Sequence, residues 1–266
     1  MRGLGCVLAI WLLAVLPGCG EPEVEPWLSL PVNLEPRAVV TYQFDWQQET
    51  HRGPRNHGKL SWSAEVSVEA GERGSSPRPM EWRFAARPDA EAKPGFAFSL
   101  DAQGVVRAVQ RFQDPAGYRV TRGGVGAEQL GSAEDRVQTY VRPFPAGSLA
   151  EPSATWTVHD VSDGLPMPVG LTWTMHVDSV TDSEVVLLGT GVVVVPSVES
   201  EAASVASWLE AAEKKATARV VLSRADGLVA SAEWSLSFEA ERPWDADADA
   251  PPQHLSTRRL LTITRR

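Results

Sequence analysis

Leu60-Ser61-Trp62-Ser63-Ala64-Glu65-Val66-Ser67-Val68-Glu69 places an apolar residue at every even position and Ser or Glu at every odd one. Successive side chains of a strand point to opposite faces, so this run builds one apolar wall and one polar wall; a helix would scatter the same residues around its surface. The pattern continues outward in both directions. Upstream, Val40, Tyr42, Phe44 and Trp46 alternate with Thr41, Gln43 and Asp45. Downstream, Met80, Trp82, Phe84 and Ala86 stand against Glu81, Arg83 and Arg87. Phe96, Phe98 and Leu100 then lead into Asp101-Ala102-Gln103-Gly104 and a return strand from Val105 to Phe112. A short Asp-to-Gly connection between alternating runs reads as a hairpin, with Gly104 supplying a positive φ.

The second half repeats this chemistry without repeating its order. Thr155 to Val161 is followed by Leu171, Trp173, Met175 and Val177, which alternate with Thr172, Thr174, His176 and Asp178. Val185 to Val195 is nearly all apolar, which predicts a strand covered on both faces, with a bend or bulge at Gly189 and Gly191. Ala218, Val220 and Leu222 enter a turn at Arg224-Ala225-Asp226-Gly227, and Leu228 to Glu239 leaves it in strict alternation. A last strand runs from Leu255 to Thr264. Two helices interrupt the strands. One is expected over 125–141, from Leu130, Val137 and Val141 with Ser132 and Asp135 as a capping pair, and it is stopped by Pro143 and Pro145. The other carries Val198, Ala202, Val205, Leu209 and Ala212 on one stripe, with Glu199 and Glu201 at its start and Lys214 and Lys215 at its end, charges that suit the helix dipole. About eleven strands joined by hairpins, without regular βαβ alternation, predict a mainly β (α+β) fold: a large curved antiparallel sheet or half-barrel with two helices.

The chain has 266 residues, 25 basic and 34 acidic side chains and a net charge of −9, with no basic block longer than two residues. That balance argues against nucleic acid as a partner, because a phosphate backbone is held by clustered Lys and Arg. Nine of the ten Trp, all but Trp11, supply apolar bulk for a core.

Leu4 to Leu16 is a short apolar run behind Arg2, ending in Leu16-Pro17-Gly18-Cys19. It has the layout of a secretory signal and is too short to span a ~30 Å hydrocarbon core. These residues resemble the bacterial lipoprotein signal, whose lipobox ends Leu-x-Gly-Cys; Pro17 departs from its usual small residue. The resemblance implies cleavage before Cys19, acylation of Cys19 and a place in the cell envelope, with outer-membrane placement favoured because Gly20, not Asp, follows the Cys. Cys6 would leave with the signal, so the mature domain would hold no thiol, no disulfide and no Cys-ligated metal. The expected division is a signal over 1–18, the acylated Cys and a Pro-rich tether over 19–37, and a single β-rich domain over 38–266. In extended form at ~3.1 Å per residue, that tether would reach on the order of 50 Å.

No catalytic signature emerges. Gly147-Ser148-Leu149 lacks the second Gly of a nucleophile elbow, and Gly123-Gly124-Val125-Gly126 lacks the Walker Lys and the dinucleotide spacing. His51 and His57 fall in a Gly/Pro/Arg-rich stretch that reads as a solvated loop. Asp245, Asp247 and Asp249 have the rhythm of a calcium loop, but Ala250 and Ser256 stand where its Gly and bidentate Glu belong, so no metal and no cofactor is expected. Trp46, Trp62, Trp82, Trp173 and Trp234 share their strand faces with aliphatic and aromatic residues, which makes them core, or the lining of an apolar cavity if the sheet is strongly curved and incompletely covered. Architecture alone looks like the half-barrel lipoprotein-carrier folds, which hold acyl chains in a concave sheet; Leu165-Pro166-Met167-Pro168-Val169-Gly170-Leu171-Thr172-Trp173 is similar to a pattern in uncharacterised secreted lipoproteins. The expectation is a non-enzymatic, membrane-anchored protein that binds a hydrophobic ligand or an envelope partner. An assembly protein, a carbohydrate-binding module and a hydrolase with a dispersed triad are its rivals.

Overall fold

The computed structural model describes residues 27–52, 56–72, 78–84, 95–113, 133–162, 169–195, 203–242 and 253–266. The signal, Cys19, the Gly123 to Gly126 stretch, Ser132, residues 165–168 and the Asp245, Asp247 and Asp249 cluster lie outside them. Thirteen strands and two helices are present in the described residues: β1 (Leu28–Ser29), β2 (Val39–Arg52), β3 (Asn56–Ala70), β4 (Arg78–Phe84), β5 (Gly95–Leu100), β6 (Val106–Gln113), α1 (Ala133–Val141), β7 (Ser148–Leu149), β8 (Thr155–Ser162), β9 (Val169–Val180), β10 (Glu184–Val194), α2 (Ala203–Ala211), β11 (Glu213–Ser223), β12 (Val229–Arg242) and β13 (Gln253–Arg265). Eleven strands form one antiparallel sheet in the order β6-β5-β4-β3-β2-β13-β12-β11-β10-β9-β8, and β1 pairs with β7. The mainly β, antiparallel, eleven-strand architecture expected from the alternating runs is the observed one.

Alternation works because one sheet face is buried over most of its length, Leu60 near the β2–β3 hairpin being an exception at 61% exposed. Val40, Tyr42, Phe44, Val66, Val68, Met80, Trp82, Phe98, Trp173, Met175, Leu187, Val220, Trp234, Leu236, Phe238 and Ile263 all belong to a single core cluster. The last strand joins β2 to β12, with Ile263 opposite both Phe44 and Ala232, and so unites the two halves of the chain in one sheet.

Curvature follows from α1, which packs against both β6 and β8, the two outermost strands. In a flat sheet they would lie roughly 48 Å apart at ~4.8 Å per strand, whereas a helix with its side chains is only ~10–12 Å across. The sheet therefore curls through most of a turn, and α1 fills the gap that keeps it from closing into a barrel. Edge strands carry unpaired backbone groups, and α1 satisfies some on each side. The amides of Val106 and Val109 in β6 donate to Gln138 Oε1 (2.7 Å) and Glu134 Oε1 (3.3 Å), and Thr139 Oγ1 donates to the His159 carbonyl in β8 (2.9 Å).

One end of the curled sheet is plugged by the segment before β2. Leu28, Leu30 and Leu34 are buried, and the Asn33 amide donates to the Asp226 carbonyl. Arg142, just past α1 and 1% exposed, donates to the carbonyls of Leu30 (2.6 Å), Phe144 (3.2 Å) and Pro145 (3.3 Å). Burial pulls its guanidinium down to about 10, against the opposing pull of Asp101. Residues 27–37, expected as tether, are thus docked: apolar side chains at alternate positions override the extended bias of their prolines. The hairpins at Gly104 and Gly227 are as expected, with φ of 76° and 73°. Asp101 fixes the first by accepting from the Gln103 and Val105 amides.

The helices are seen in part, and three expectations about the strands need correction. Both expected helices are present over the residues described, as Ala133–Val141 and Ala203–Ala211, while 125–132 and 198–202 lie outside them; Lys214 and Lys215 already belong to β11, and Lys214 Nζ caps α2 by donating to the carbonyls of Glu210 and Ala212. β10 is covered on both faces only near Val185 to Leu187, while Val192 and Val194 are exposed. Gly189 and Gly191 make no bulge, since the register shift falls at Val186/Leu187. They leave room instead: a Cβ at Gly189 would stand 2.4 Å from Met175 Sδ, and one at Gly191 2.9 Å from the Trp173 ring. Finally, His51 and His57 are not loop residues but opposed partners in β2 and β3.

Candidate ligand chamber

The hairpin residues Arg52 and Asn56, and the strand ends Ser162 and Val169, mark the end opposite the plug. α2 lies in the connection between β10 and β11 at this end, packs on β12 and contributes Leu209, fully buried, to the common core. The inward wall of the sheet runs between plug and α2 and carries the common core.

Its centre is aromatic. Trp173 of β9 and Trp234 of β12 meet with ring centroids 5.0 Å apart and planes at 65°, and Tyr140 of α1 packs edge-on against Trp234 at 6.3 Å. On the far side Phe44 and Trp82 are 5.3 Å apart. Trp82, Trp173 and Trp234 are 5%, 1% and 6% exposed, and Trp46 is half-buried. Trp62 is the register partner of Trp46; its side chain lies outside the described set. The buried three cannot serve as an exposed platform for sugar rings, and they line the interior as the core-or-cavity reading expects.

Two sets of polar groups interrupt this wall. Arg259 of β13, 8% exposed, lies with its guanidinium 5.2 Å from the Trp46 ring centroid and donates to Ser162 Oγ of the edge strand β8. Five steps of the strand order separate β13 from β8, so that hydrogen bond spans the interior. Gln48, opposite Arg259 in the register, and Thr257, its neighbour on the same face, are buried beside it. Asp160, 5% exposed, accepts from Tyr140 Oη at 2.7 Å and lies 3.8 Å from Arg136 of α1. The alternation of Leu255, Thr257, Arg259, Leu261 and Ile263 carries the signal for this cluster: a charged residue at an inward position of the last strand. Arg259, Gln48 and Thr257 were missed because their inward direction depends on that register.

Several buried polar atoms have no hydrogen-bond partner among the described residues: Trp173 Nε1, Trp234 Nε1, Gln48 Oε1 and Tyr42 Oη. Burial raises the Tyr42 phenol above its ordinary value, so it stays a neutral donor. Two indole donors, a phenol and an amide acceptor thus line an otherwise apolar interior, where most buried polar groups are satisfied.

Ser148 sits in β7, exposed and paired with Ser29. No group of three or more His, Cys, Asp or Glu among the described residues is placed to hold a metal ion. A groove of about 660 Å³ lies at the plugged end between Asp182, Glu184, Arg224 and Arg265, but its cations are engaged: Arg224 donates to the Thr181 carbonyl and Arg265 pairs with Asp226 at 2.5 Å. No described helix is long and apolar enough to cross a membrane. Comparison with protein-family models, with curated proteins and with solved structures finds no match.

Proposed function

We propose that the chain is a lipid-anchored envelope protein, tethered through Cys19, that binds an amphipathic hydrophobic ligand inside its incomplete barrel and is not an enzyme. The observation that carries this reading is the set of orphan polar atoms on an apolar interior wall. A buried donor or acceptor left unpaired costs ~1–3 kcal/mol, and a ligand with a hydrocarbon body and a few oxygen atoms would meet Trp173, Trp234 and Gln48 at once. Ligand sites are commonly apolar concavities with a small number of polar groups that fix orientation. With Leu28 onward docked on the domain, the free tether shortens to residues 19–26, roughly 25 Å when extended, which holds the chamber close to the membrane surface.

The test is native mass spectrometry of residues 21 to 266 expressed without the anchor. Co-purified lipid, or uptake of added long-chain fatty acid or phospholipid with a shift in Trp emission, is the expected result. A clean apo mass together with no uptake and no spectral change would reject the chamber.

A further inference from the structure

We propose that His51 and His57 form a two-imidazole site for a divalent transition metal on the outer wall of the sheet, separate from the chamber and independent of it. The two residues are register partners on β2 and β3, and both are exposed. Their Nδ1 atoms face one another at 2.5 Å, with ring centroids 4.6 Å apart and planes at 83°. Such an approach admits one proton between the two nitrogens, as donor on one ring and acceptor on the other. A metal ion takes the place of that proton when it is bound by both Nδ1 lone pairs; the displaced proton passes through solvent to the vacant Nε2 of the ring that carried it, so both imidazoles stay neutral with their protons on Nε2.

Metal–nitrogen bonds of about 2.0–2.1 Å require the two nitrogens to part to roughly 3 Å, a displacement that exposed rings reach by small rotations about their side-chain bonds. The strand pair does the rest, because directly opposed residues hold their Cβ atoms ~4.5–5.5 Å apart without any cost at the moment of binding. The next pair on this wall is Glu49 and Lys59, joined at 3.1 Å, which neutralises the nearest lysine. Ser256 opposes His51 and Arg258 opposes Glu49 on β13. With no third His, Cys, Asp or Glu positioned as a ligand among the described residues, the other coordination positions fall to water or an incoming ligand. Imidazole nitrogens favour Cu²⁺, then Ni²⁺ and Zn²⁺, in line with the general affinity order.

Titration of the full-length chain in detergent with Cu²⁺ and with Ni²⁺ by calorimetry tests this, alongside electron paramagnetic resonance of the Cu²⁺ form. His51→Gln and His57→Gln should each lower affinity by at least ~10-fold, since even outer partners of a metal site cost that much. His176→Gln should leave it unchanged, and the nitrogen splitting should fall from two imidazoles to one in either single variant. Both histidines are exposed, so the variants keep the fold, which circular dichroism verifies. Equal affinity and an unchanged spectrum in the His51→Gln/His57→Gln double variant would overturn the proposal.

Discussion

A single atom decides whether the N-terminal plug can seat. Gly227 holds φ at 73°, and a Cβ there would lie 2.6 Å from the Pro31 carbonyl oxygen, an atom of the backbone that has no rotamer to escape into. Gly147 has nearly the same φ, 77°, yet a Cβ there meets nothing within 4 Å. Gly147→Ala should therefore cost only the left-handed backbone penalty, ~1 kcal/mol, and Gly227→Ala that penalty plus the displacement of Pro31, ~2–4 kcal/mol in all. Chemical denaturation of both variants checks the pair. Similar losses would mean that the plug yields freely and that residues 27–38 add little to stability. The same segment shows why it escaped a reading by composition: Pro31 and Pro36, continuing a run begun by Pro22 and Pro26, suggest extended chain, but Leu28, Leu30, Val32 and Leu34 fall at alternate positions, the period that marks the buried strands here.

At the scale of elements, α1 is the piece on which the open sheet depends. Gln138 takes the Val106 amide at 2.7 Å and donates to the Gly104 carbonyl at 3.3 Å and to that of Arg142. Gln138→Ala leaves those backbone groups unpaired beneath a helix, at ~1–3 kcal/mol, and should speed amide exchange across β6 and at the end of α1 while β11 and β12 keep their protection. Exchange measured by mass spectrometry that rises uniformly over the sheet would show instead that α1 has no local role at the edge. The strands themselves were legible because period two needs no knowledge of neighbours: Leu60 to Glu69 reads as a strand whatever it pairs with. What could not be read was which strands meet. The closure of the sheet's gap by α1, the inward aim of Arg259 and the meeting of His51 with His57 are products of register, and register joins residues such as Ile263 and Phe44 that lie 219 positions apart in the sequence. Gly189 and Gly191 misled for a related reason, since the side chains that need their space, Met175 and Trp173, belong to another strand.

Across the described residues the interior is largely apolar yet holds buried polar atoms without a partner among those residues, and on the proposed reading that combination separates a chamber from an ordinary core. In a core that only packs, Trp173→Phe loses ring volume and leaves a void, at a cost of a few kcal/mol. Here the same change also removes a buried indole N–H that has no partner among the described residues, which returns ~1–3 kcal/mol. The two effects oppose, so Trp173→Phe, and equally Trp234→Phe, should change the stability of the ligand-free domain by no more than about 1 kcal/mol. Ligand retention should fall although stability holds: with the donor gone, an oxygen-bearing lipid loses a hydrogen bond worth ~1 kcal/mol and is released several-fold more readily in native mass spectrometry, while a plain alkane probe of equal length is held as before. Strong destabilisation with unchanged lipid retention would mean that the indole N–H groups are not aimed at a ligand, and the interior would then be a core whose polar atoms are merely tolerated.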